Sequence, residues 1–337
     1  MLKMKITRKF IAKEAGVSET AVSDVLSGNP KARISHEVRA KIRRIAEKHD
    51  YLPNSSARSL VTGRTFNIGF IYRASIADFM KDPFTQEVFL GAESEIEKNE
   101  YGLLFALLKD NRNWNPSVRR LLCGHSADGI VLMGAVDSKI IDFMQKKSIP
   151  FVLIDFNVEK RKANTVLPEN FEGAYDAVKY LISENCRSIC CINGIYEGYS
   201  HPSYIERPAG YSKAMEEQGL KINILETLPD VENAEKAVDK LVSTGEIPDA
   251  FFATGDHMAI GCVRALNKHS SLLKKIRVVG FDNINWLENE KPGLSSVNVP
   301  KIQMGQEAVR LLLRNIEKPD MSPQTVRLST SLVIRET

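Results

Sequence analysis

The chain has 337 residues, 43% of them hydrophobic, which is too long for one typical domain and apolar enough for a large core. No uninterrupted apolar stretch reaches membrane-span length. The basic amino end has neither the apolar core nor the cleavage site of a secretory signal, so the expectation is a cytoplasmic protein with no membrane partner. The net charge of +4 hides an asymmetry, because residues 1–66 hold 14 Lys and Arg against 6 Asp and Glu and the remainder is net acidic. A basic head on an acidic body is the electrostatic footprint of a module that binds phosphate backbones.

The run from Ile11 to Leu26 predicts two short helices around a tight turn. Ala15 is small enough for close helix crossing, and Gly16 permits the backbone angle of a sharp turn. Ser18 can cap the second helix by accepting a bond from its free amides. Val22, Val25 and Leu26 share one face of that helix, with Phe10 and Ile11 on the helix before it. A third helix opens at Ser35 and repeats Val38, Ile42, Ile45 and Ala46. Together they predict a helix-turn-helix unit whose second helix is free to enter a DNA major groove; an ordinary helical hairpin shares the same turn. In the stretch from Tyr51 to Thr65, Asn54 can cap a helix of about two turns that Gly63 ends. So short a helix is unstable alone in water, because nucleation costs more than its few hydrogen bonds return. It should fold only on a surface that holds it. Arg58 offers a cation for phosphate and Leu60 an apolar wedge for a minor-groove base step, although composition alone reads as a Ser-rich linker.

From Asn67 onward apolar strands alternate with amphipathic helices. Strands are predicted over Asn67–Tyr72, Gly102–Leu108, Gly129–Met133 and Phe151–Ile154, separated by helices over Thr85–Asn99, Pro116–Cys123 and Ser138–Lys147. A second series has strands over Ser188–Ile192, Ile222–Thr227, Ala250–Ala253 and Arg277–Phe281. Its helices are Asn170–Glu184, Ile205–Gln218, Ala234–Thr244 and Asp256–Leu266. Such alternation implies parallel sheets with helices on both sides, and two series imply two doubly wound α/β lobes. Ligands bind such sheets beyond the strands' carboxyl ends, so the cleft between lobes is the expected small-molecule site.

Strand ends and the loops after them supply Asp78 to Thr85, Asp155 and Phe156, Arg207, Asp256 and Asp282. A sugar or nucleoside needs carboxylates to accept hydroxyl hydrogens, an Arg for oxygen acceptors and an aromatic face for ring edges. Two plainer readings stand beside this one: Asp282 as a turn cap, and Arg207 as a structural partner of Glu206 or a neighbouring helix. The odd set Cys123, Cys186, Cys190, Cys191 and Cys262 lacks paired metal spacing and reads as buried small apolar residues in a reducing compartment. No hydrolase elbow, zinc-protease helix, phosphate loop or dinucleotide fingerprint is present. His36, His49, His125, His201, His257 and His269 form no spaced metal cluster. The expectation is therefore no enzyme, no cofactor and no metal.

The run AGVSETAVSDVLSGNPKARIS, then YLPNSSARSLVTGRT leading into NIGFI, resembles the lactose/galactose repressor family of bacterial transcription regulators. DGIVLMG, ERPAGY, DAFFATGDHMAIGCVRAL, IRVVGFDN, LSSVNVP and LVIRET follow in the family's order, so the likeness runs from about Thr7 to the last residue. The resemblance implies a three-helix DNA-binding head over 1–52, a hinge over 53–65 and an effector-binding body over 66–337. The body would be of periplasmic-binding-protein type, with lobe 1 about 66–160 and 296–323 and lobe 2 about 161–295 and 324–337. Three crossings between lobes are implied near Asn157–Thr165, Pro292–Ser296 and Ser322–Thr325. Glu19 and Thr20 would be the main base readers, while Ser18, Ser23 and Arg58 would touch the DNA backbone, which sets register without reading sequence. Thr7, Asn54, Ala57 and Leu60 complete the DNA-binding set. Asp155, Arg207 and Asp282 match ligand-contact positions, Phe84 and Thr85 match a loop that closes over the ligand, and Asp256 joins the effector-binding set from its place after a strand.

The expected partners are a pseudo-palindromic double-stranded operator, a small-molecule effector of carbohydrate type and a second copy of the chain. The dimer follows because two heads reading spaced half-sites need a twofold partner; the resemblance places that interface at Thr85–Asn99, Lys301–Asn315 and the second lobe. Ala21, Asp24 and Ser27 depart from the family's usual Thr, Arg and Asn, so the operator cannot be borrowed from a relative. Gly255 replaces a usual Asn. The segment Ile195–Ile205, carrying Tyr196, Tyr199, His201 and Tyr204, is longer than usual and reads as a cover for the cleft or as a surface elaboration. An alternative keeps the DNA head but gives the body to a protein coregulator, with a vestigial cleft. A sugar-processing enzyme is the third reading.

Overall fold

The computed structural model describes residues 6–26, 32–51, 59, 62–109, 114–134, 136–158, 162–195, 201–268 and 275–337. Two compact units result, Met1–Phe66 and Asn67–Thr337.

In the head, α1 (Arg8–Ala15) starts where Thr7 Oγ1 accepts from Phe10 N–H, and it ends at Gly16 with φ +74°. That left-handed residue turns the chain into α2 (Glu19–Leu26), which Ser18 Oγ caps by accepting from Ala21 N–H at 3.1 Å. Ser35 caps α3 (His36–Lys48) in the same way. Ile11, Ala12, Ala15, Val22, Val25, Ile42 and Ile45 form one buried cluster, which leaves the outer face of α2 exposed. Three short helices of marginal individual stability are thus held by a shared apolar centre.

The body contains two six-stranded sheets. The first has the order β11-β5-β4-β3-β1-β2, built from β1 (Asn67–Tyr72), β2 (Gly102–Leu107), β3 (Gly129–Met133), β4 (Phe151–Ile154), β5 (Asn164–Pro168) and β11 (Thr325–Leu328). All its pairings are parallel. The second has the order β12-β10-β9-β8-β6-β7 and comprises β6 (Ile189–Gly194), β7 (Ile224–Thr227), β8 (Ala250–Ala253), β9 (Arg277–Asp282), β10 (Ser295–Asn298) and β12 (Ser331–Val333). Only β12 runs antiparallel. The first lobe carries α4 (Ile76–Lys81), α5 (Pro83–Lys98), α6 (Pro116–Cys123) and α7 (Ser138–Lys146). The second carries α8 (Asn170–Ser183), α9 (Ser203–Glu216), α10 (Val231–Ser243) and α11 (Asp256–Lys268), and α12 (Lys301–Glu317) returns to pack on α5. Among the described residues no helix is long and apolar enough to cross a membrane.

The crossings differ from the expectation. The chain leaves the first sheet after β5, between Pro168 and Asn170, returns between Asn298 and Lys301, and crosses again between Leu328 and Ser331. The expected points, Asn157–Thr165, Pro292–Ser296 and Ser322–Thr325, all fall too early. The cause is physical: β5 and β11 extend the first sheet beside β4, and β10 completes the second, before the chain departs. These strands are short and rich in Ser, Thr and Asn, so no apolar run marked them. The lobe boundaries move accordingly, to 67–168 with 301–328 and 170–298 with 331–337.

Candidate functional site

On the head, Thr7, Ser18, Glu19 and Thr20 are exposed and Ser23 is half-buried. Thr7 and Ser18 also cap helices, so each hydroxyl oxygen already serves a backbone amide. The Glu19 carboxylate is 3.3 Å from Arg8 Nε, an ion pair at the front of the recognition helix that spacing alone does not reveal. Asn54, Ala57, Arg58 and Leu60 lie outside the described residues, as do Ser27, Tyr196 and Tyr199.

In the body, parallel strands deliver side chains to one edge. Asp155 follows β4 in a left-handed conformation, with φ +55°. Asp282 ends β9 at φ +104° and Asn283 follows at +49°, so the chain turns sharply there. Arg207 projects from the second turn of α9 and is 3% exposed. Its Nη2 lies 2.9 Å from Asp282 Oδ1, its Nε donates to Asn170 Oδ1 at 2.8 Å and its Nη1 donates to the Thr254 carbonyl at 2.8 Å. The guanidinium also lies 3.8 Å from the Phe281 ring centroid, a cation–π contact in a desolvated place. Arg207 therefore pairs with Asp282, not Glu206, and its bond to Asn170 of α8 is the tie to a neighbouring helix that the plainer reading named. Glu206 instead bridges the lobes, 3.1 Å from Arg327 of β11. The Asp282 oxygen faces a guanidinium from another element, so the plainer reading of this residue as a turn cap does not describe it.

Asp155 stands near enough to Arg207, Asp282, Asp82 and Glu206 for their charges to act on it. Burial pushes its carboxyl up to about 8, with Arg207 opposing and the carboxylates adding. Burial likewise raises Asp282 against the pull of Arg207. His201 approaches Asp155 from lobe 2, with Nε2 3.5 Å from Oδ2, and burial with the Arg207 charge pushes its imidazole down to about 3.

Three expected contacts are placed differently. Asp256 is fully buried; its Oδ1 accepts from Ser296 Oγ at 2.6 Å and its Oδ2 from Ile284 N–H at 2.8 Å. It braces the loop behind Asp282 and does not face the cleft. Thr85 is also buried, its hydroxyl bonded to Asp82 and to Tyr72 Oη at 3.3 Å. Phe84 is buried beside it, with its amide donating to Asp82 Oδ1. The capping carboxylate of Asp82, within the Asp78–Thr85 stretch, thus engages the Thr85 hydroxyl, while the Phe84 ring is withdrawn by burial.

Asn170, His201, Thr254 and Lys301 join the site only in the folded chain. Lys301, buried at the start of α12, donates to the carbonyls of Asp282 at 2.7 Å and Asn283 at 3.0 Å, and lies 3.5 Å from Glu87 of α5. Only its place just after a crossing could have marked it. A Cβ at Gly255 would stand 3.8 Å from Asp282 Oδ2, so the side chain this chain lacks is one that would face the site. A depression of about 450 Å³, lined by Glu87, Pro300, Lys301, Ile302, Gln303 and Arg310 among others, lies beside the crossing on the α5–α12 flank.

A basic helix-turn-helix head and a two-lobed body with a polar cleft define a DNA-binding transcription regulator with a ligand-binding type of body. Residues 9–54 match bacterial regulatory proteins, lacI family, and residues 178–337 match a periplasmic binding protein-like domain. The ribose operon repressor of Haemophilus influenzae is 30% identical, covering 98% of each chain. The transcriptional repressor PurR of Vibrio campbellii is 29% identical over the same shares. Among solved structures, a lac repressor dimer bound to operator and an anti-inducer matches with TM-score 0.80 at 20% identity, covering 99% of each chain. A CelR–cellobiose complex matches with TM-score 0.72 at 24% identity, covering 98% of this chain and 99% of that one; at such identities the likeness speaks for the fold. The chain belongs to the lacI family of bacterial regulatory proteins.

Proposed function

We propose that this regulator is a dimeric repressor whose operator affinity is set by a small polyhydroxy effector, a sugar or sugar derivative, in the interlobe cleft. The observation that carries the reading is the buried Arg207–Asp282 pair facing Asp155 at the strands' carboxyl ends. Fixed donors and acceptors on opposite lobes suit a ligand that offers both from one ring. Glu19, Thr20, Ser18, Ser23 and Thr7 form the DNA face, with Asn54, Ala57, Arg58 and Leu60 as hinge contacts. Leu90 of α5 and Ile302 of α12, exposed on neighbouring packed helices, support a dimer face there.

Relatives named for ribose and cellobiose define the first probes. Calorimetry of the full chain against a panel of pentoses, hexoses, disaccharides and nucleosides should give saturable heat with one class. Asp282→Asn and Arg207→Lys should lose that heat while the fold is kept. Binding unchanged in both variants overturns the site, and silence across the whole panel favours the coregulator reading with its vestigial cleft.

A further inference from the structure

His201 lies two residues ahead of α9, in the second lobe. Its Nδ1 is 2.7 Å from Ser203 Oγ, and the Ser203 backbone N–H donates to the same nitrogen at 3.3 Å. A backbone N–H can only donate, so Nδ1 is the acceptor and the neutral ring carries its proton on Nε2. That nitrogen faces Asp155 of the first lobe: its one N–H donates to the Asp155 backbone carbonyl, and Oδ2 of the carboxyl lies 3.5 Å away. Both side chains are largely buried, at 17% and 12% exposed. Asp155 Oδ1 accepts no hydrogen bond among the described residues. A donor from one lobe is therefore bonded to the backbone of the residue whose carboxyl the other lobe holds out for an effector, and stands 3.5 Å from that carboxyl.

We propose that His201 is a further residue of the cleft and stands in for an effector hydroxyl, its Nε2–H binding Asp155 and holding the lobes together while no effector is bound. Effector entry then begins with release of the imidazole, and an effector competes with His201 for Asp155. The inference deepens the cleft reading and rests on it, yet closure is measured with no effector present, so the two can fail separately.

Cys123 is exposed and the other four cysteines are buried, so spin labels can be placed at Cys123 and at Lys240→Cys in the full chain. These positions lie on α6 and α10, which follow edge strands β2 and β7, at the opposite sheet edges from β11 and β12 where the lobes are joined. Opening about the crossings moves them most. Labelled protein diluted into excess unlabelled protein reports intrachain distances alone, read by electron–electron double resonance without effector. The expected result is one narrow distance in the parent protein. His201→Ala and His201→Asn, both too short to reach Asp155, should add a second, longer population, and His201→Gln, with a donor of similar reach, should restore the single distance. Alanine and asparagine variants with the parent's distribution overturn the proposal, as does a glutamine variant that opens as far as alanine. Silence of the sugar panel with opening in His201→Ala would overturn the effector reading and leave the interlobe bond standing.

Discussion

Asp155 and His201 are each held away from the charge they would carry in water, and their effects on stability have opposite signs. Folding raises Asp155 from 3.8 to about 8. Between those values the folded chain keeps a proton that the unfolded chain has released, so stability falls as pH rises through that window. Folding lowers His201 from 6.5 to about 3; below 6.5 the unfolded chain takes up the proton, so stability falls as pH drops. Between pH 6.5 and 8 only the carboxyl contribution remains. The parent protein should lose melting temperature across that interval, and Asp155→Asn should flatten the loss by at most about 1.4 kcal/mol per pH unit. Asp256, also raised to about 8, leaves a residual slope. Identical slopes in differential scanning calorimetry would show that Asp155 is ionised at little cost. Arg207 allows a second test. Arg207→Met strands the Asp282 carboxylate without its partner and should cost about 3–5 kcal/mol in urea unfolding. Arg207→Lys should cost less, yet one ammonium cannot serve Asn170, Thr254 and Asp282 together or lie flat on Phe281.

The regular elements were legible because their periods are strong. Strands β1, β3, β4 and β8 stand where uninterrupted apolar runs put them, and α5 to α11 lie within a few residues of their amphipathic windows, whereas α4 and α12 had no predicted helix. What escaped was short or non-local. β5 and β10 to β12 carry too few apolar residues to stand out, and their placement depends on partners far along the chain, as when Gln324 N–H donates to Asn164 Oδ1. Asp155, Arg207 and Asp282 were readable as strand-end or helix-start polar residues; the occupation of Asp256 and Thr85 by Ser296 and Asp82 was not, because those bonds exist only after folding. The α5–α12 pair shows the same limit. A Cβ at Gly305 would meet the Val88 carbonyl oxygen at 2.0 Å, and one at Gly91 would meet that of Ile302 at 2.0 Å. Two helices in backbone contact cannot relax around a methyl group. Gly305→Ala should therefore destabilise the body by about 1–3 kcal/mol. It should also loosen Lys301 from Glu87 and from the Asp282 loop, visible as faster amide exchange at Asn283 and Ile284. Stability within a few tenths of a kcal/mol of the parent would mean that the helices can slide apart freely.

Across the whole molecule the charge asymmetry separates how tightly DNA is held from which DNA is chosen. The net positive head attracts any duplex by releasing condensed counterions, so binding should weaken steeply with salt. If Arg58 holds a phosphate, as proposed, Arg58→Ala should lower affinity for every sequence and reduce the slope of log K against log salt by about 1. Glu19 and Thr20, proposed as the base readers, would act on choice. Arg8 lies 3.3 Å from the Glu19 carboxylate, so a base amine must compete with that guanidinium for the same oxygens. Glu19→Gln weakens that ion pair and adds an amide donor at the front of the recognition helix, so preference should shift at one base step in each half-site while the salt slope holds. Operators selected from random duplexes by the full chain, then titrated by fluorescence anisotropy over a range of salt, test both. If Glu19→Gln changes the slope without changing the selected sequence, Glu19 acts through Arg8 on the backbone, and base reading passes to Thr20.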